Sequence, residues 1–285
     1  MKASLRLRLL TSEDLLFADA VRAQAGWNQT LADWERFLAA APDGCFLAEW
    51  NGVPAGTATT ITYGPALAWI GMVLVHPDYR RRGIGRALLE RCIKHLRGRA
   101  VRCIKLDATP AGKQVYDGLG FKEEWTLTRW EHAAAQWPAT ESISGIRSCR
   151  DVDAVESLDA AAFGVSRRMV LEPLMKQSRC ALMFEAQSDG VAGYGLLREG
   201  SSALYLGPVV AVSADAGARL VDALLAHAEG RKVYWDMPDE TATAVQQAGA
   251  RGFTPQRTLT RMYLGENATP GDPKRQFALA GPELG

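Results

Sequence analysis

Val73-Leu74-Val75-His76-Pro77-Asp78-Tyr79-Arg80-Arg81-Arg82-Gly83-Ile84-Gly85-Arg86 reads as an apolar strand, a tight turn and the opening of a helix. The helix is predicted from its apolar stripe, Ile84, Leu88, Leu89 and Cys92, which recurs at helical spacing. Gly83 and Gly85 leave main-chain N–H groups uncovered at the helix N-terminus, where the helix dipole favours negative charge. Arg80, Arg81 and Arg82 stand at the same end. Cations there oppose the dipole unless an anion settles among them. The stretch therefore predicts a cradle for a pyrophosphate group.

Working outward, the chain repeats itself. Displaced by 136 positions, Trp69–Ile93 lies over Tyr205–Glu229 without a gap, and Gly71, Val73, Ala87, Leu88 and Leu89 meet Gly207, Val209, Ala223, Leu224 and Leu225. Displaced by 132, Gly120-Phe121 meets Gly252-Phe253, and Thr126-Leu127-Thr128-Arg129 meets Thr258-Leu259-Thr260-Arg261. A period this long indicates a duplicated domain rather than a solenoid of short repeats. The join is expected in Ala133–Ser144, where Pro138 and small polar residues interrupt the pattern. The expected units are residues 1–135 and 136–285.

Within the first unit, a strand at Leu5–Leu10 leads through Thr11-Ser12-Glu13-Asp14 to a helix ending near Gln24, and a second helix covers Leu31–Ala40. Cys45–Trp50 and Ala55–Tyr63 flank Asn51-Gly52, a hairpin signal. Strand Ala68–Val75, the glycine-opened helix, strand Ala100–Asp107, a short helix near Lys113–Leu119 and a strand around Trp125–Trp130 complete it. That order predicts an α/β fold, a mixed sheet with helices on its faces, used twice.

Composition narrows the function. The 285 residues are 47% apolar and 23% charged, with a net charge of +1, as in a globular protein with a substantial core. The balance argues against nucleic-acid or membrane-surface binding, which require clustered positive charge. No apolar run approaches the roughly 20 residues of a membrane span, and the start of the chain lacks the apolar core of a secretion signal. Cys45, Cys92, Cys103, Cys149 and Cys180 have neither metal nor redox spacing. They are expected to be reduced and mostly buried, consistent with a cytoplasmic location. Four histidines without useful spacing give no metal site.

The glycine loop resembles the acetyl-CoA motif of the GNAT N-acetyltransferase superfamily, Arg/Gln-x-x-Gly-x-Gly/Ala, met by Arg80, Gly83 and Gly85. The apolar strand before it and the closing Tyr116, Leu119, Gly120 and Phe121 match as well. Over residues 5–131 the likeness is direct, and it reaches the second half through the repeat, as in the subgroup with two fused acetyltransferase-like domains. In the second copy Arg80–Arg86 becomes Ala216-Gly217-Ala218-Arg219-Leu220-Val221-Asp222. Both motif glycines are replaced and the arginine cluster is gone, so one acetyl-CoA site is expected, in the first half.

The resemblance implies roles. The pantetheine arm would lie between the strand ending at Val75 and the strand ending near Asp107. Main-chain groups of Val73, Leu74 and Val75 would pair with it, one N–H polarising the acetyl carbonyl. Arg80, Arg81, Gly83, Gly85 and Arg86 would hold the pyrophosphate, with Arg82 and Ile84 contributing main chain. Tyr116 matches the tyrosine that protonates the departing thiolate, its alternative being a packed core residue. The attacking amine needs a base, because an alkylammonium is protonated at neutral pH. Strand Ala68–Val75 holds no carboxylate, which leaves Asp107, or a turn-capping role for it, and its counterpart Asp236 on the acceptor side. Trp27 and Asn28 lie in the loop that borders the acceptor in this superfamily and are expected to touch substrate or to staple that loop to the core.

The resemblance thus implies acetyl transfer to the primary amine of a small molecule by direct attack, in a monomer or homodimer. A non-catalytic acetyl-CoA sensor and a protein or peptide lysine acetyltransferase remain as alternatives.

Overall fold

The computed structural model describes residues 4–134, 137, 144–186 and 190–285; the expected join falls largely outside them. In the first half the order is β1 (Leu5–Leu9), α1 (Leu15–Gln24), α2 (Leu31–Ala40), β2 (Cys45–Trp50), β3 (Val53–Tyr63), β4 (Leu67–Val75), α3 (Ile84–Gly98), β5 (Cys103–Ala108), α4 (Pro110–Asp117) and β6 (Lys122–His132). The second half repeats it as β7 (Ile146–Ser148), α5 (Glu156–Phe163), α6 (Arg168–Gln177), β8 (Cys180–Ala186), β9 (Gly190–Arg198), β10 (Leu204–Ala211), α7 (Ala214–Leu225), β11 (Val233–Pro238), α8 (Ala242–Ala250) and β12 (Thr254–Gly265). A further strand, β13 (Gln276–Ala278), follows.

Local signals set several boundaries. Asn51 and Gly52 both have positive φ, as a tight hairpin turn requires. The short helix begins earlier than expected, because Pro110 occupies its first turn and the Thr109 hydroxyl accepts from Gly112 N–H. On α3 the predicted stripe, extended by Ile93 and Leu96, is buried against the sheet, each aliphatic side chain contributing about 1.5–3 kcal/mol.

The thirteen strands of the described residues form one mixed sheet, and its order contains an exchange. Following β1-β2-β3-β4-β5 comes β12, then β6, then β11-β10-β9-β8-β7. Each half thus gives its last long strand to the other half's β5-type strand. At the centre the repeated tetrapeptide pairs with itself: Thr126 faces Thr260, Leu127 faces Leu259 and Thr128 faces Thr258. The exchange places Arg261 opposite Asp107 and Arg129 opposite Asp236. Both pairs are bidentate and enclosed, at 2.9 Å for Arg261–Asp107 and 2.6–2.7 Å for Arg129–Asp236. Helices α1, α2, α5 and α6 share one core on one face of the sheet, whereas α3 and α7 cover separate cores on the other.

Candidate active site

In the first half, β4 and β5 pair in parallel only from Leu67–Trp69 with Cys103–Lys105; beyond that they splay. The ladder between β4 and β3 slips between Thr57 and Thr59, and Met72 takes φ 49°. The Thr57 hydroxyl donates to the Met72 carbonyl at 2.9 Å. Such a bulge leaves main-chain groups out of the ladder, here on the strand that borders the splay.

The splay opens at one end toward the glycine loop. Gly83, at φ 79°, starts α3 with no side-chain cap, so the first N–H groups of the helix stay available. Arg80, Arg81, Arg82 and Arg86 are exposed around it. Three are steadied locally, Arg80 by the Val75 carbonyl at 3.2 Å, Arg82 by the Asp78 carbonyl at 3.0 Å and Arg86 by the Glu90 carboxylate at 2.8 Å. The equivalent end of α7 is closed by its own residues. The Ser213 hydroxyl accepts from Ala216 N–H at 3.2 Å, and Asp215 adds negative charge to the first turn.

At its other end the splay leads into a cleft of about 560 Å³ lined by Trp27, Gln29, Ile70–Val73, Leu106, Asp107, Thr109, Tyr116, Arg257, Leu259, Pro282 and Glu283. Tyr116, from α4, is pushed up to about 12 by burial, so its phenol keeps its proton at neutral pH. Burial also pushes the Asp107 carboxyl up, and the Arg261 guanidinium opposes that shift. Both Asp107 oxygens accept from Arg261, which ties this carboxylate to the strand exchange.

The cleft therefore brings together Val73, Tyr116, Asp107 and Trp27, whereas Leu74, Val75, Arg80–Gly83 and Ile84–Arg86 continue along the splay and helix mouth. It does not include Asn28 or Asp236. The Asn28 amide holds the second half: its oxygen accepts from Ser202 and Ala203 N–H, and its nitrogen donates to the Ala203 carbonyl. Asp236 is enclosed with Arg129 and Tyr205. Asn28 thus staples its loop to the second half and borders a smaller neighbouring pocket with Gln29 and Glu283, and Asp236 is held in the central ion pair.

Among the cleft residues missed by sequence reasoning are the charged and amide side chains Arg257, Gln29 and Glu283. Glu283 arrives on segment 276–285, whose course depends on the second splay. There β10 and β11 pair only from Leu204–Leu206 with Val233–Trp235, and β13 enters between them. It pairs with Val209 and Val210, while Leu279 N–H donates to the Asp236 carbonyl and Trp235 Nε1 to the Phe277 carbonyl. The repeated glycines admit this segment: a Cβ on Gly207 would lie 2.1 Å from the Leu279 oxygen, and one on Gly71 would lie 2.9 Å from that of Glu283. Trp69, Tyr63 and Arg167 then donate to the carbonyls of Pro282, Leu284 and Gly285. The sequence signal was the apolar character of 277–284, which indicates docking but not where.

Among the described residues no cluster of His, Cys, Asp and Glu could hold a metal, and no helix is long and apolar enough to cross a membrane. All five cysteines are buried thiols.

Comparison with known proteins defines the class. Residues 12–121 match the model of the acetyltransferase (GNAT) family, and residues 155–278 match that of an acetyltransferase (GNAT) domain. The chain belongs to the GNAT acetyltransferases, with two such domains in tandem, and is an acyltransferase. An uncharacterized N-acetyltransferase of Bacillus subtilis, YitH, is 31% identical over 66% of each chain. The holothin acyltransferase of a Pseudoalteromonas species is 26% identical over 91% of this chain and 87% of its own. A crystal structure from Pyrococcus horikoshii described as an acetyltransferase superposes with a TM-score of 0.84 at 25% identity, covering 99% of this chain and 96% of its own.

Proposed function

We propose that the protein transfers acetyl from acetyl-CoA to the primary amine of a small molecule, by direct attack, at one site in the first half. The observation that carries this reading is the continuity of the uncapped α3 N-terminus, the β4–β5 splay and the cleft. These suit a pyrophosphate, an extended arm and a thioester in that order. Val73, Leu74 and Val75 would pair with the arm, and a main-chain N–H near the bulge would polarise the acetyl carbonyl. Tyr116, kept protonated, would donate to the departing sulfur.

Direct attack is supported by the cleft lining, which contains no cysteine. Pro282 and Glu283 wall the cleft, which favours a compact acceptor over an extended protein segment. The full-length relative is named for acylation of holothin, which supports transfer to a discrete acceptor. In the second half Ser213, Asp215 and β13 take up the positions that a second acetyl-CoA would need.

The test is thiol release from acetyl-CoA with a panel of amines, together with calorimetric stoichiometry. One acetyl-CoA per chain and amine-dependent thiol release are expected. Two per chain would refute the single site, and binding without turnover on any amine would refute the transferase reading in favour of a sensor.

A further inference from the structure

We propose that the cleft selects an acceptor that carries a carboxylate beside its amine, with Arg257 receiving the carboxylate and Glu283 taking the ammonium proton. The proposal rests on the acetyltransferase reading and deepens it. Of the charged side chains lining the cleft, Asp107 is already neutralised by Arg261. Arg257 and Glu283 remain, one of each sign, and a ligand with the opposite pair of charges would complement them.

Arg257 lies opposite Arg129 in the β12–β6 ladder, and Arg129 is committed to Asp236. Arg257 has no ion pair among the described residues, and its Nε is buried without a hydrogen-bond partner. The residue is half-buried, and a buried guanidinium N–H is ordinarily paired, because removing it from water without a partner is costly. The repeat sharpens the point. Residue 257 matches Trp125 at the 132-residue displacement, and Trp125 stacks on Arg261 at 4.1 Å. The first copy places an aromatic ring where the second places an unpaired cation.

Glu283, which also lines the cleft, is only 6% exposed. Its Oε2 accepts from Gln29 Nε2 at 2.7 Å, and Gln29 Oε1 is itself buried without a partner. An ammonium between them would donate to Glu283 and to Gln29 Oε1, while a carboxylate would accept from Arg257 Nε. The two orphaned cleft atoms, one donor and one acceptor, are those that such a ligand satisfies. Asp33 on α2 and Arg198 on β9 face Glu283 with opposite effects, Arg129 on β6, Glu199 and Tyr205 on β10 line the same smaller pocket, and Asp107–Arg261 and Arg257 are the charges on the cleft side. Burial first, then Asp33, raise the Glu283 carboxyl to about 7, where a base exchanges protons readily near neutrality.

The step balances. The ammonium N–H bond breaks and its proton passes to Glu283. The freed nitrogen forms the C–N bond to the thioester carbon as the C–S bond breaks, and Tyr116 protonates the sulfur. The nitrogen's second proton restores the phenol, and Glu283 returns its own to solvent.

The test compares α-amino acids, the matching amines without carboxylate and the matching aminophosphonates, using the full chain and thiol release. Amino acids should exceed the bare amines by about 100-fold in kcat/KM. Arg257→Gln should raise KM by about 100-fold and abolish the preference, with Arg257→Lys restoring part of it. Glu283→Gln should lower kcat by about 100-fold or more at nearly unchanged KM and remove the acidic limb of the kcat profile, with Glu283→Asp restoring some rate. Equal turnover of amino acids and bare amines, a preference for phosphonates, or a wild-type pH profile in Glu283→Gln would overturn the proposal. If no amine turns over, titration calorimetry with an N-acetyl amino acid decides it separately: binding lost in Arg257→Gln supports the carboxylate site, and no binding to the wild type refutes it.

Discussion

Replacing Gly83 by aspartate separates the cradle's charge from its shape. The residue sits at φ 79°, and a Cβ there would meet nothing within 4 Å. A side chain is therefore accommodated without a clash, at a backbone cost of about 1–2 kcal/mol for the left-handed conformation. That cost falls on an exposed turn, so the fold should survive with a slightly lower melting temperature. Binding should suffer far more. A carboxylate about 5 Å from a pyrophosphate charge, at an effective dielectric of about 20, is repelled by roughly 3 kcal/mol, or about 150-fold in Kd. Gly83→Ala carries the strain without the charge and should lose no more than about 10-fold. Titration calorimetry with acetyl-CoA at low and high salt reads both variants, and the aspartate penalty should shrink as salt screens it. Gly83→Asp binding within threefold of wild type would show that the α3 N-terminus does not hold the pyrophosphate. Equal losses in Ala and Asp variants would show that shape rather than charge is decisive.

Asp107→Asn or Asp236→Asn should destabilise the fold by about 3–5 kcal/mol in urea unfolding, because each leaves an enclosed arginine unpaired; losses below 1 kcal/mol would contradict the assigned role of the exchanged strands. Glu283 binds its proton more tightly when folded, at about 7 against an ordinary 4.5, so its contribution to stability falls as pH rises from about 4.5 to 7. Glu283→Gln should therefore be more stable than wild type at pH 8, by at most about 3 kcal/mol, and the gap should close below pH 4.5; a gap independent of pH would refute this. On α7, a Cβ at Gly217 would lie 2.5 Å from the Phe277 ring, so Gly217→Ala should displace segment 276–285 and cost about 1–3 kcal/mol, read by thermal unfolding. Restoring glycine at Arg219 and Val221 should leave the acetyl-CoA stoichiometry at one, since Ser213 still caps the helix; a second binding event would contradict that.

The glycine loop was legible because its chemistry is local: Arg80 through Arg86 are neighbours in the chain, and the helix they open carries its own apolar stripe. The duplication was equally legible, since Gly71 and Gly207 or Leu127 and Leu259 stand in matching surroundings. The strand exchange was not. The Thr-Leu-Thr-Arg repeat and the two aspartates were visible, but a cross-strand pair between Asp107 and Arg261 depends on which sheet edge the last strand reaches. The sequence therefore left Asp107 open between a base and a turn cap, and Asn28 between a substrate contact and a staple of its loop, because the partners of both lie in the other half.

By itself, then, the sequence determined a duplicated acetyltransferase-like fold with one glycine-opened, arginine-flanked helix start, because periodicity and helix-terminus chemistry act over a few residues. Only the tertiary structure decided what lines the cleft. Arg257 and Glu283 come from the second half and enter a cleft of the first through an exchanged strand and a segment threaded into the second splay. Residues so distant in the chain are joined by packing, strand register and the satisfaction of buried polar groups, none of which a linear pattern encodes.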